Sequence, residues 1–523
     1  MRLYSYHVFL FPFQWELKDK IKEPFGDRFD LNSIRPHHNC NWRNITDPIE
    51  DHYITELYNE KNFFYKFVHN VLYDTGKVEY PAIRHYERNE AYRGEMFYEI
   101  GVKADGSNVY RLGLKSIGLD LFSTGTGMLI FYLENKTYPE INDVKRINQF
   151  GRRIFPPFLS KDNGVDGTKN VELADYISLL GLSGNPQRYF EDFNAYSPSD
   201  DWKPASFITS LLEDMDTNIQ IDPVVDDRMF TMCWYFDDEL DKTFKDNITF
   251  RKFISGHEWH EYLFVDTNES TCQNDQMQRE LLEKHSYKRW QKRGTLYGIT
   301  RHSFMAISGF GLFPENILLT NFRTIYVRMT ELALLQRSSI LKFSSEVTRL
   351  STLTEKDTSV LAENIGKFYR SYIRFVNQVY FREITAQEQG IEMYDILLKN
   401  LHMNEQVRDL DNEISELHNY AILLDEKAQG SNLHLLTILG SLFLIPSFIV
   451  GFYGMNLIPA QFSEHEHRWI LVTVTIVTII VSGGLAGAVM LNRRDKKKWA
   501  NGLIIIIVGI ILSTLAVAIF NNF

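Results

Sequence analysis

Four polar side chains lying close together in the chain, Arg146, Asn148, Arg152 and Arg153, make a first candidate for binding chemistry. They fall in YPEINDVKRINQFGRRIFPPF, a predicted helix, with Gly125-Thr126-Gly127 at the mouth of a predicted strand upstream. Guanidinium forks beside small, backbone-exposing residues can hold a phosphate, and a solvated basic helix end is the plainer reading of the same pattern. Asp237, Asp238 and Glu239 offer the hard carboxylate oxygens that divalent cations take, or else keep a hairpin turn soluble. His257, Glu258, His260 and Glu261 lack the HExxH spacing, and in the strand predicted for EWHEYLFVD the two histidines face opposite sides, which argues against zinc. Gly454, Met455 and Asn456 close an uncharged apolar stretch, where a side-chain amide can face a hydrated cation. No P-loop, Rossmann fingerprint, nucleophile elbow or defensible Ser-His-Asp order occurs, so no catalytic residues are assigned and no enzyme is expected.

These candidates must be held by more than one structural unit, since 523 residues exceed one ordinary core. The net charge of -11 argues against general affinity for nucleic acid. Cys40, Cys233 and Cys272 are scattered and suit a reducing compartment. The opening YSYHVFLFPF reads as a buried strand with Phe9, Phe11 and Phe13 on one face, not as a signal peptide. An amphipathic helix is predicted over 51–73, then strands in GEMFYEIGVKA, VYRLGLKSIGLDLFSTG, GMLIFYLEN, MFTMCWYFDDEL and GTLYGITRHSFMAISG. Residues 1–314 thus read as an α/β domain that senses a signal.

Past Pro314 the period changes to three or four. Leu332, Leu335, Ser339, Phe343, Val347 and Leu350 mark one helix, and Leu361, Ile365, Phe368, Tyr372 and Phe375 a second. From Thr385 no proline occurs before Pro446, so one helix running to Tyr453 is expected, about 100 Å long. Residues 315–430 read as a helical stalk and 431–523 as a transmembrane domain with spans near 433–453, 469–491 and 503–520. The basic loop NRRDKKKWAN is cytoplasmic by the positive-inside rule, which places the large domain inside and the Asn456 loop outside. If the first span lines a pore, Leu433, Leu436, Gly440, Leu444 and Ser447 recur on its axial face as a hydrophobic constriction. The expected fold class is therefore an α+β membrane protein: large cytoplasmic α/β domain, long helical stalk and C-terminal transmembrane helices.

The run Gly451-Phe452-Tyr453-Gly454-Met455-Asn456, ending a span behind a long helical region, resembles the CorA superfamily of magnesium and divalent-cation channels. The resemblance implies a homo-oligomer, a pentamer in that family, with Asn456 as the selectivity position and Mg²⁺ as a permeant or regulatory ion. CorA proteins ordinarily stop after two spans, and the third apolar run departs from them. YSYHVFLFPFQW and INQFGRRIFPP resemble more narrowly the CorA-related membrane effectors associated with type III CRISPR defence. That resemblance implies an adenylate second messenger, including AMP conjugated to S-adenosylmethionine, as the gating ligand. The expectation is thus a ligand-gated channel of the inner membrane, multi-pass, with the bilayer, copies of itself and a small nucleotide as partners. A constitutive Mg²⁺ transporter regulated by cytoplasmic Mg²⁺ is the alternative, and a non-conducting tethered binding module a third class.

Overall fold

The computed structural model describes residues 2–34, 41–45, 60–73, 81–88, 94–102, 108–155, 173–183, 185–195, 204–224, 227–266, 270–352, 358–454 and 469. It divides into two compact units, one of residues 1–354 with 363–418, the other of 355–362 with 419–523.

The first unit is built on β1 (Ser5–Leu17), whose aromatic and branched residues favour an extended chain. Alternation there predicts one buried face, yet Val8, Phe9, Leu10 and Phe11 are all buried, because β1 is central and covered on both sides. One edge pairs with β6 (Thr126–Asn135); the other pairs first with β10 (Phe230–Phe236), then with β9 (Ile219–Pro223). Pro12, which cannot donate to a ladder, lies where that second edge changes partner.

Among the described residues the sheet also contains β2 (Trp42–Asn44), β3 (Ile83–Arg88), β4 (Met96–Val102), β5 (Asn108–Phe122), β7 (Tyr176–Leu180), β8 (Phe190–Asp192), β11 (Ser286–Tyr287), β12 (Leu296–Ile299) and β13 (Ser303–Ser308). The main order is β11-β12-β13-β10-β1-β6-β5-β4-β7-β8, with β3 on β5 and β2 on β3. Every pairing is antiparallel except β10 with β13. The long crossover that a parallel pair requires holds four helices: α4 (Asp238–Lys245), α5 (Asn247–Ile254), α6 (His257–Phe264) and α7 (Asp275–His285). Earlier in the chain lie α1 (Lys66–Leu72), α2 (Ile141–Gly151) and α3 (Ser206–Met215).

Strand alternation divides β10 between two cores. Cys233 and Tyr235 join Phe244, Phe250, Trp259, Tyr262 and Leu282 of the crossover helices, whereas Trp234 stacks edge-on against Phe322 and Tyr297. After Pro314 come two π-helical turns, then α8 (Val327–Thr352), which packs on β1 and β6. α9 (Thr358–Gln378) and α10 (Glu388–Asn400) follow.

Three expectations change. The segment EWHEYLFVD is helix α6, closed by Val265 at φ 59°, rather than a strand. Phe67 of the amphipathic helix is exposed while Phe64, Val68 and Leu72 are buried; residues 51–59 of that helix lie outside the described ones. The single helix from Thr385 is broken: His402 takes φ 54°, left-handed backbone that ends α10 and starts α11 (Met403–Gly454).

α11 is helical through Leu433, Leu436, Gly440, Leu444, Ser447 and Gly454. Met455, Asn456 and the spans near 469–491 and 503–520 lie outside the described residues, apart from Trp469, as do the side chains of Leu433, Leu436 and Leu444. Among the described residues no helix is long and apolar enough to cross a membrane.

Candidate functional site

The C-terminal end of α2 is held against β1 and β4. A Cβ at Gly151 would meet Ile100 and Phe9 within 3 Å, so only glycine admits this approach, and Tyr98 Oη donates to Gly151 O at 2.7 Å. The chain then runs beside 227–229: Met229 N donates to Arg152 O at 2.7 Å and Ile154 N to Asp227 O at 2.9 Å. This pairing fixes two successive guanidiniums in the interior.

Arg152 and Arg153 are both buried, with 2% and 1% of their surface exposed. Arg153 is ion-paired with Asp227, which also accepts from Arg228 Nε at 3.0 Å. Among the described residues Arg152 has no carboxylate within ion-pair distance. Its Nη2 donates to Gln149 Oε1 at 2.9 Å and Val265 O at 3.4 Å, while Nε and Nη1 have no hydrogen-bond partner among the described residues. Burial, then the charges of Arg153 and Arg228, lower its pKa well below the usual guanidinium value, against the pull of Asp227 and Asp266. His302, in the turn between β12 and β13, is pushed down to about 3 by burial and by Arg228, Arg152, Arg337 and Arg301. Four segments thus bring cationic groups together: the end of α2, residues 227–229, the 300–302 turn and α8.

Of the residues singled out in the sequence, Arg152 and Arg153 share this place. Asn148 points into the core, where its Oδ1 meets His7 Nδ1 at 2.7 Å. Arg146 is half-buried on α2 and acts electrostatically on Tyr110. Asp227, Arg228, His302 and Arg337 escape a sequence reading. Asp227-Arg228 and Arg301-His302 flank predicted strands, where charges ordinarily face solvent.

The other clusters resolve differently. Asp237 caps α4 by accepting from Glu239 N and Leu240 N at 2.8 Å, Asp238 accepts from Phe310 N at 2.9 Å and Glu239 pairs with Lys242. This is a helix start, not the expected hairpin turn. On α6, His260 is buried and bonds Ser270 Oγ at 3.0 Å, while His257 is exposed.

A further polar centre joins the sheet to α8. Asp120 Oδ2 and Glu331 Oε2 accept from Arg328 Nη1 at 2.7 and 2.6 Å, Glu60 lies 3.5 Å from Arg328 Nε, and His85 Nδ1 meets Asp120 Oδ1 at 2.6 Å. Among the described residues, His85, Asp120 and Glu331 form a group whose ligand atoms fall within 4.8 Å of one another. The Arg328 guanidinium already supplies the positive charge there. Burial would raise the Asp120 pKa, but His85 and Arg328 hold it well below the carboxylate range; burial and the Asp120 charge push Glu331 well above it. The two carboxyls are thus pushed in opposite directions, Asp120 towards the ionised form and Glu331 towards the neutral one.

No curated protein and no solved structure matches the chain. Residues 328–493, beginning at the arginine of this network, match the family model of the CorA-like Mg²⁺ transporter protein, so that segment of the chain is similar to CorA-like transporters.

Proposed function

We propose that the chain is a homo-oligomeric, CorA-like channel for divalent cations, gated by an anionic ligand that its N-terminal domain holds at Arg152. The transport reading follows from the family similarity of residues 328–493. The ligand reading is carried by one observation: a guanidinium 2% exposed, with two nitrogens unpartnered among the described residues and the charges of Arg153 and Arg228 acting on it. Burying such a charge without a carboxylate is costly. A phosphate would satisfy the free donors and offset the crowded positive charge. Arg337 belongs to α8, so a ligand drawing on this cluster would bear directly on the first helix of the CorA-like segment.

In its specific form the ligand is an adenylate second messenger, such as an AMP and S-adenosylmethionine conjugate, and the chain an effector of type III CRISPR defence. That form rests on the resemblance carried by YSYHVFLFPFQW and INQFGRRIFPP. The channel would sit in the inner membrane as a pentamer, with Asn456 at the pore mouth and Mg²⁺ as permeant or regulatory ion.

The test is binding of an adenylate panel to the purified full chain. Arg152→Met should abolish binding while the oligomer persists, and thermal stability should hold or rise, because a buried charge with unmet donors is replaced by an apolar side chain. Equal binding by wild type and variant would refute the site.

A further inference from the structure

Residues 287–291, the last of β11 and the turn that follows it, serve two neighbours. Tyr287, Arg289 and Trp290 grip α10: Tyr287 Oη donates to Glu392, Arg289 pairs with Glu392 at 2.6 Å and Glu388 at 2.7 Å, and Trp290 Nε1 donates to Gln389 Oε1 at 2.8 Å. Lys288 and Gln291, interleaved with them, line instead a cleft of about 470 Å³ bounded by α5 and α7. The residues that seize α10 and those that face the cleft therefore share one five-residue stretch at the end of β11.

The cleft has the make-up of an anion site. Phe250 and Ile254 form an apolar floor, 5% and 9% exposed. Its carboxylate, Glu283, is already neutralised by Lys288. Arg251 and Arg279 also line it, and among the described residues neither guanidinium has an acidic partner. Two guanidiniums without an acidic partner thus stand over an apolar floor, on a chain of net charge -11. The volume lies within the range of small-molecule sites, about 300–1,000 Å³.

We propose that this cleft binds a phosphate-bearing small molecule, and that its occupancy tightens the hold of the 287–291 turn on α10. Phosphate oxygens bridging Arg251 and Arg279 would draw α5 and α7 together around Lys288. That movement acts on the peptide units between Lys288 and Gln291 that carry Arg289 and Trp290. The site is distinct from the Arg152 cluster and does not depend on what binds there.

The experiment titrates inorganic pyrophosphate into the full chain in detergent by calorimetry. A parallel arm measures capture by vesicles containing phosphatidylglycerol, to separate a free phosphate from a lipid headgroup. The expected result, measured in the Arg152→Met chain so that the other candidate anion site is removed, is saturable binding that the exposed charge reversals Arg251→Glu and Arg279→Glu together weaken roughly a hundredfold. Vesicle capture that the double variant abolishes, without pyrophosphate binding, assigns the same chemistry to a headgroup. No binding in either arm, or binding indifferent to the double variant, overturns the site. Hydrogen exchange then tests the link to α10. Pyrophosphate should slow exchange over residues 388–400 in the wild-type chain but not in Arg289→Ala, which still binds; unchanged exchange in the wild type overturns the coupling.

Discussion

Arg328 and Arg152 are both guanidiniums largely withdrawn from water, yet their surroundings are opposite. Arg328 is encircled by Asp120, Glu331 and Glu60, whereas Arg152 is crowded by Arg153 and Arg228 and keeps two donors unused. A satisfied buried charge acts as a joint, here between the sheet and α8. An unsatisfied one is a standing cost that a ligand can remove. The difference separates what holds this domain together from what it holds in readiness.

Breaking the satisfied centre should have the largest effect. Arg328→Met would take the guanidinium from a buried Asp120 and leave it only His85, a loss of about 3–5 kcal/mol, visible as a sharp drop in melting temperature or in folded yield. An unchanged melting temperature would contradict the joint.

Acid should separate the two regions next. Burial, against the bond to Asn148, lowers His7 to about 4, and burial with the arginine cluster lowers His302 to about 3. A free imidazole titrates near 6.5, so between those values the unfolded chain binds more protons. Their contribution is complete above about pH 6.5 and is lost as the pH falls towards 4 and then 3; His7 alone accounts for roughly 3 kcal/mol. Asp120, also depressed, keeps its contribution until the pH falls below the ordinary carboxylate range, and Glu331, which is raised, favours the fold on acidification. The melting temperature of the full chain should therefore decline between pH 6.5 and 4.5, and a flat profile would contradict the assignment.

The smallest effect sharpens the protonation pattern. Glu331→Gln removes no charge if that carboxyl already carries a proton, so stability at pH 7 should change by less than about 1 kcal/mol. A loss as large as that of Arg328→Met would mean that Glu331 is ionised.

Much of this arrangement was legible in the sequence, unevenly. The strands of β1, β4, β5, β6 and β10 announce themselves through aromatic and β-branched runs, and Leu332 to Leu350 through helical spacing. Local pattern failed where tertiary context decides. EWHEYLFVD is apolar enough for either state, and the burial of Trp259 and Tyr262 against β10 selects helix. His402 breaks a periodic run without glycine or proline to announce it. At the candidate site, Arg152 and Arg153 could be read because they adjoin in sequence. Arg228, His302 and Arg337 could not, since only the β10/β13 pairing and the seat of α8 bring them together. The Arg328 network was hidden for the same reason: Glu60, His85, Asp120 and Glu331 come from four separate elements.

The most direct test of the central claim is Mg²⁺ flux through the full chain in liposomes, with and without the AMP and S-adenosylmethionine conjugate, in the wild type and in Arg152→Met. Gating at Arg152 predicts flux that the conjugate switches in the wild type and leaves unaltered in the variant. Flux that ignores the conjugate in both proteins, or responds to it equally in both, would contradict a channel gated at Arg152.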